Sequence, residues 1–186
     1  MARRRDTGLV DRDLVQIVDA ALAEAVRQGG AWIACEPGCS ECCLGPFPIT
    51  PLDARRLREG LAELDAADPA RAARVRERAR KAAARLGATI PLDESTEFDD
   101  DPCPALDPEF GTCDLYAARP LTCRTFGPAL RWNSDAVGIC ELCFAGASDE
   151  EIAACEVTLD DGGLEVKLLE ELGESEQTLV AYALAG

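Results

Sequence analysis

The sequence predicts a small, mainly α-helical domain whose middle part is formed by long irregular loops. Three observations indicate this fold class. Apolar residues recur at three- and four-residue steps near the N-terminus, capping boxes precede two later segments, and six prolines interrupt residues 89–129. The length of 186 residues, 47% of them hydrophobic, suits a single domain spanning 1–186 with a core of ordinary size.

Three helices are predicted in the N-terminal half. Apolar spacing over residues 10–26 predicts the first, which Gly29-Gly30 should end. The second begins at a capping box, in which Thr50 precedes Pro51, and covers residues 50–65. The third covers residues 68–86, and its arginine-rich face is interpreted as a solvated one.

The C-terminal third is predicted to contain shorter elements. A capping box of Ser148 and Glu151 begins a short helix that continues to Cys155. Residues 157–166 resemble a β-hairpin around Asp-Asp-Gly-Gly, although residues 164–172 fit a helix equally well. A terminal helix is predicted over residues 178–184.

The charge balance excludes one class of function. A formal net charge of −16 gives the chain no basic surface for the phosphates of a nucleic acid. The acidic runs at 93–101 and 141–186 are interpreted as solvated surface, with docking to a basic protein partner as the alternative. No apolar run reaches the roughly 20 residues of a membrane span, and acidic residues interrupt the N-terminal stretch. We therefore expect a cytoplasmic protein without an export signal.

The ten cysteines carry the strongest chemical signal, because the chain has no histidine. The run CEPGCSECC at residues 35–43 places four thiols within nine residues. Clustered thiols in a reducing cytosol are more often metal ligands than disulfides, and the adjacent Cys42-Cys43 also disfavours a disulfide framework. Metal bonds would also hold the proline-rich loops, which lack a pattern able to fold alone.

Eight thiolates are enough for two four-thiolate sites that hold zinc or iron–sulfur centres, and the sequence leaves the metal open. The predicted ligands are Cys35, Cys39, Cys42, Cys43, Cys103, Cys113, Cys123 and Cys140. Cys143 can replace Cys140, and Cys155 is interpreted as a small buried hydrophobe on its helix. We expect the neighbouring side chains of Cys42 and Cys43 to diverge and to serve different metals.

The cysteine pattern resembles that of the YkgJ-type cysteine-cluster family. The resemblance rests on CEPGCSECC, on CPALDPEFGTCDLYAARPLTCRTFG and on a late cysteine, and it covers about 35–143. It implies a small bacterial protein with a zinc- or iron-chelating domain. Members are similar to a domain of flagellin lysine methylases, so the resemblance also implies an iron–sulfur enzyme or accessory protein for protein modification as an alternative.

Two arginines within the family motif are candidates for supporting the cofactor. Arg119 and Arg124 could donate hydrogen bonds to thiolate sulfurs and offset the charge of a four-thiolate site. The alternative is that they pair with the abundant carboxylates. The motif leaves both interpretations open.

A radical S-adenosylmethionine enzyme is a further alternative, because Cys35, Cys39 and Cys42 match its C-x3-C-x2-C spacing. Glu41 stands where that motif usually has an aromatic residue, the chain lacks alternating strands and helices, and Cys43 adds a further thiolate. Without histidine there is no Ser-His-Asp triad, and no phosphate loop is present. The sequence therefore predicts metal binding and identifies no catalytic residue.

Overall fold

The computed structural model describes residues 7–87, 98–132 and 137–186. In this part of the chain the helices are α1 (Thr7–Gly29), α2 (Pro51–Ala67), α3 (Pro69–Leu86), α4 (Leu121–Thr125), α5 (Asp149–Ala154), α6 (Leu164–Leu172) and α7 (Val180–Ala185). The strands are β1 (Pro48–Ile49), β2 (Leu106–Asp107), β3 (Thr112–Cys113), β4 (Leu130–Trp132), β5 (Val157–Leu159) and β6 (Thr178–Leu179). The predicted mainly α-helical fold class is confirmed.

The capping boxes predicted from the sequence are confirmed. The Thr50 hydroxyl accepts a hydrogen bond from the Asp53 amide at 3.2 Å, and the Asp53 carboxylate accepts one from the Thr50 amide at 3.4 Å. The same reciprocal pair joins Ser148 and Glu151 at the start of α5. Each box satisfies amides that have no partner within the helix, so the local sequence determines where α2 and α5 begin.

The described residues form two compact units. The first unit combines Met1–Glu36 with Leu121–Glu174, and the second unit combines Pro37–Pro120 with Ser175–Gly186. Each unit therefore contains segments from distant parts of the chain. The prediction of a single domain spanning residues 1–186 stays a prediction.

In the first unit, α1 packs against α4, α6 and β5. Leu14, Val18 and Ala25 of α1 are fully buried, at the spacing that places them along one face of a helix. Strands β4 and β5 pair in parallel, with Leu130 opposite Val157. This arrangement leaves residues 137–147 without regular helix or strand beside a small core of their own.

In the second unit, α2, α3 and α7 pack together around an apolar core. Leu57, Val75 and Leu184 lie in this core with at most 1% of their surface exposed. Strand β1 pairs with β6, and β2 pairs with β3, both antiparallel. The β2–β3 pair is only two residues long on each side, so the loops that carry cysteines have little regular structure of their own.

The predicted hairpin at residues 157–166 is wrong, and the helical alternative is confirmed. Strand β5 pairs with β4, and residues 164–172 form α6. The reason lies in Asp161, whose buried carboxylate accepts hydrogen bonds from the amides of Gly163 and Glu165 at 3.0 and 3.1 Å. These bonds satisfy free amides at the start of α6, which favours a helix over a returning strand.

Three further sequence predictions concern membrane spans, the acidic run at 93–101 and the terminal helix. Within the described ranges, no helix is long and apolar enough to cross a membrane. Most of the acidic run at 93–101 lies outside the described residues. The predicted terminal helix begins later than expected, because Thr178–Leu179 forms β6 before α7 begins at Val180.

Candidate metal centre

All ten cysteines lie within the described residues, and all are free thiols. They divide evenly between the two units. The first unit contains Cys35, Cys123, Cys140, Cys143 and Cys155, and the second unit contains Cys39, Cys42, Cys43, Cys103 and Cys113. These are called the first and the second thiol set. The three cysteines of the radical-enzyme spacing therefore fall in different units, since Cys35 belongs to the first.

In the second unit, a tight turn brings the adjacent thiols of Cys42 and Cys43 together. Glu41–Cys43 forms a single 3-10 turn, closed by a hydrogen bond from the Cys43 amide to the Ser40 carbonyl at 2.7 Å. The two Sγ atoms lie 4.0 Å apart. The expectation that these side chains diverge is wrong, because neighbouring side chains point to opposite faces in an extended strand but not in this turn.

The β2–β3 segment brings two more thiols to the same unit. The Cys103 amide donates to the Cys43 carbonyl at 2.7 Å, which ties the start of this segment to the turn. Strand pairing places Cys113 opposite Leu106. Leu106 is three residues after Cys103, so the pairing brings the backbone of Cys113 near that of Cys103. Both thiols are partly buried against the apolar core of the unit. Local backbone bonds thus connect Cys43, Cys103 and Cys113.

Electrostatic interactions connect four thiols of the second set, those of Cys42, Cys43, Cys103 and Cys113. A hydrogen bond with Cys43 lowers the pKa of Cys42 to about 6, with help from the charge of Arg119, and the same bond raises the pKa of Cys43 far above its ordinary value. Burial raises the pKa of Cys103 to about 11, and it raises the pKa of Cys113 as well. The charge of Cys42 raises both of these values further. Four thiolates here would require a cation to balance them.

In the first unit, Cys35 and Cys143 form the corresponding pair, with their Sγ atoms 4.0 Å apart. Cys140 and Cys143 belong to one turn, closed by a hydrogen bond from the Cys143 amide to the Cys140 carbonyl at 2.9 Å. The Cys140 amide donates to the Gly127 carbonyl at 3.1 Å. A side chain at Gly127 would place its Cβ only 2.9 Å from the Cys35 Sγ. Gly127 therefore leaves the space that this thiol occupies.

The thiols of the first set differ in their burial. Cys140 and Cys143 are 5% and 4% exposed, in a small core with Phe144. Cys155 directly follows the last residue of α5 and is partly buried against that core, whereas it was predicted to lie buried on its helix. Cys123 is half-buried on α4. The structure thus brings Cys143, which was predicted only as a substitute for Cys140, next to Cys35.

The thiol pairs have the spacing that a shared metal ion requires. In a tetrahedral site with metal–sulfur bonds of about 2.3 Å, the sulfur atoms lie about 3.8 Å apart. The two observed Sγ–Sγ distances of 4.0 Å match one edge of such a tetrahedron in each unit. Within the described part of the chain, no group of three Cys, Asp or Glu side chains is arranged to hold an ion. The donor type and the paired spacing fit a thiophilic metal.

The two arginines predicted to support the cofactor have different surroundings. Arg124 is 3% exposed, and its Nη1 donates to both carboxylate oxygens of Asp19 at 2.7 Å. This matches the carboxylate alternative. Arg119 stacks on Tyr116, 3.9 Å from the ring centroid, and its charge acts on the thiols of Cys42 and Cys113. A role for either arginine toward thiolates stays a prediction.

One group beside the thiols was missed in the sequence. Arg71 and Arg78 of α3 both bind the carboxylate of Asp114, the residue that follows Cys113. The interpretation of the arginine-rich face as solvated is therefore wrong for these two positions. Their seven-residue spacing places them on one side of the helix, and this was the available signal.

Comparison with known proteins identifies a matching family. The family model described as "CxxCxxCC: Putative zinc- or iron-chelating domain" matches residues 34–155. This span contains every cysteine of the chain and confirms the suspected cysteine-cluster resemblance. No curated protein and no solved structure matches the chain.

Proposed function

Because the chain belongs to the CxxCxxCC family of zinc- or iron-chelating domains, we propose that it holds two structural zinc ions, one in each unit. Cys42, Cys43, Cys103 and Cys113 bind the ion of the second unit. The ligands in the first unit are Cys35, Cys123, Cys140 and Cys143. Relative to the sequence prediction, Cys143 joins the ligands and Cys39 leaves them.

The observation that carries this proposal is the presence of one close thiol pair in each unit. Two sulfurs 4.0 Å apart can bind the same ion with little movement. In a cubane cluster, each thiolate binds a different iron, and the sulfurs have to stand farther apart. The pairs therefore favour sites in which two thiolates share one metal atom.

Burial supports a structural role for these ions. Cys140 and Cys143 are almost completely enclosed, and Cys103 and Cys113 pack against the core of the second unit. A zinc site closed by four cysteines leaves no position for a substrate or a water molecule, which is the property of structural sites. We infer that the ions connect loop segments that have little regular structure.

A [2Fe–2S] cluster in each unit is the second candidate. Such a cluster takes two thiolates on each iron, so a close pair with two further thiols nearby also suits it. This alternative would give the protein a redox property. The protein-modification role and a protein partner stay predictions, as does a cytoplasmic location.

Anaerobic purification followed by metal analysis, sulfide determination and a visible spectrum tests the proposal. We expect a colourless protein with about two zinc ions per chain and no acid-labile sulfide. A brown protein that contains iron and acid-labile sulfide would show that the sites hold iron–sulfur clusters instead of zinc. A protein that binds neither metal, even after reconstitution under reducing conditions, would overturn metal binding altogether.

Substitution of Gly127 by alanine is expected to weaken the ion site of the first unit by roughly 10-fold or more. The new Cβ would lie 2.9 Å from the Cys35 Sγ and displace that thiol. Residue 127 also has a φ of +125°, which an alanine adopts only at a cost of about 1–3 kcal/mol. Zinc affinity, measured by competition with a chromophoric chelator, reports the change.

Gly146→Ala is the matched control for this substitution. Gly146 lies in the same unit with a φ of +82°, but a Cβ there would meet no atom within 4 Å. It therefore imposes backbone strain without touching a thiol. Equal loss of zinc affinity in both variants would show that Cys35 is not a ligand that Gly127 accommodates.

A further inference from the structure

A buried carboxylate joins helix α3 to the β2–β3 segment in the second unit. The side chain of Asp114 is 1% exposed and accepts hydrogen bonds from Arg71 Nε and Arg78 Nη2, each at 2.5 Å. The two arginines approach different carboxylate oxygens. They belong to a helix in which Val75, which lies between them on the same face, is fully buried in the core. The carboxylate is therefore anchored to a rigid element.

The same group reaches the backbone beside two proposed ligands. Asp114 directly follows Cys113, and its amide donates to the Ala105 carbonyl at 2.7 Å. Arg78 Nε donates to the Pro104 carbonyl at 2.8 Å, and Pro104 directly follows Cys103. Arg78 thus contacts both the residue that follows Cys103 and the residue that follows Cys113.

The location of Arg71, Asp114 and Arg78 beside two cysteines indicates a role in positioning these cysteines as well as in stability. A buried ion pair is often no more stabilising than apolar side chains of the same volume, although loss of one partner is costly. Strands β2 and β3 are each two residues long, so their own pairing defines the separation of Cys103 and Cys113 only weakly. A fork of hydrogen bonds from a packed helix defines that separation far better.

We propose that Arg71, Asp114 and Arg78 form a positioning clamp that holds Cys103 and Cys113 at the separation required for metal binding. The proposal rests on the proposed function, since it assigns the ion of the second unit to these thiols. None of the three clamp residues binds the ion. They act through the backbone of the two cysteines, and they set the affinity and the coordination geometry of that site.

Zinc and cobalt binding to full-length clamp variants tests this proposal. We expect Asp114→Asn to weaken zinc binding in the second unit by about 10- to 100-fold, the range found when groups that orient metal ligands are lost. The same variant should alter the visible d–d bands of Co²⁺ bound there, because those bands report the geometry of the sulfur ligands. The ion of the first unit should be retained, which shows that the chain still folds.

Lysine substitutions separate positioning from charge. Arg78 donates from two nitrogens to Asp114 and to the Pro104 carbonyl, and a single ammonium group cannot reproduce this fork. Arg71 reaches Asp114 through Nε, a bond that a lysine can replace. Arg78→Lys should therefore lose most of the affinity that Asp114→Asn loses, while Arg71→Lys should stay within about threefold of the unchanged protein.

Asp65→Asn is the matched control. Asp65 lies on α2 and pairs at 2.9 Å, on the surface, with Arg76 of α3, the helix that also carries Arg71 and Arg78. The substitution should change neither affinity nor cobalt spectrum. If the unchanged protein binds an ion in the second unit, and Asp114→Asn and Arg78→Lys both bind it with the same affinity and spectrum, the clamp is overturned while the proposed function stands. If the unchanged protein binds no ion there, the proposed function fails and the clamp fails with it.

Discussion

Complete removal of metal is expected to unfold the thiol-bearing segments of both units while most of the helical signal remains. Apparent binding free energies of structural zinc are about 10–16 kcal/mol, comparable with the whole stability of a domain. Residues 98–115 and 137–147 contain at most two-residue strands and so depend on that energy. Helices α2 and α3, by contrast, have capped ends and a shared apolar core.

Limited proteolysis and circular dichroism before and after treatment with a strong chelator measure this effect. Cleavage should begin in residues 98–115 and 137–147, and the addition of zinc should restore protection in both. A chelator already saturated with zinc is the control for direct effects of the reagent. Unchanged protease resistance of both segments in protein proven to be metal-free would contradict a structural role.

Serine substitution of one thiol in each pair is expected to disrupt only the unit that contains it. Cys143→Ser removes a buried sulfur that lies 4.0 Å from the Cys35 sulfur, and Cys42→Ser removes a partly buried sulfur that lies 4.0 Å from the Cys43 sulfur. Because each set of thiols belongs to one unit, each variant should weaken one site by more than about 100-fold. Hydrogen exchange should rise at 137–147 in Cys143→Ser and at 98–115 in Cys42→Ser.

Matched controls come from the two cysteines that the proposal leaves out. Cys155→Ser changes a partly buried thiol of the first unit, and Cys39→Ser changes one of the second. Both should retain both ions and an unchanged exchange pattern. If Cys39→Ser loses the ion of the second unit and Cys113→Ser retains it, Cys39 is a ligand of that ion in place of Cys113.

Much of the fold could be predicted because its signals are local. Thr50, Asp68 and Ser148 each cap a helix through bonds to residues only three positions ahead, so the sequence contains both partners side by side. The helix of residues 164–172 was harder to identify. Its start depends on a carboxylate at Asp161, while the short apolar segment before it is equally typical of a strand.

The thiol chemistry could be predicted, but the grouping of the thiols could not. Spacing alone joins Cys35 to its neighbours in the run of residues 35–43, whereas the structure joins it to Cys143, more than a hundred positions away. The clamp around Asp114 depends on a similar long-range contact. Such contacts follow from how distant segments of the chain pack within one unit, and no local pattern records them.

The number of ions bound per chain tests the central claim most directly. Native mass spectrometry of zinc-loaded protein should show about two ions on the unchanged chain, one on Cys42→Ser, one on Cys143→Ser and none on the double variant. Loss of both ions from either single variant would show one joint centre in place of two. Retention of both ions in the double variant would contradict metal binding by the two thiol pairs.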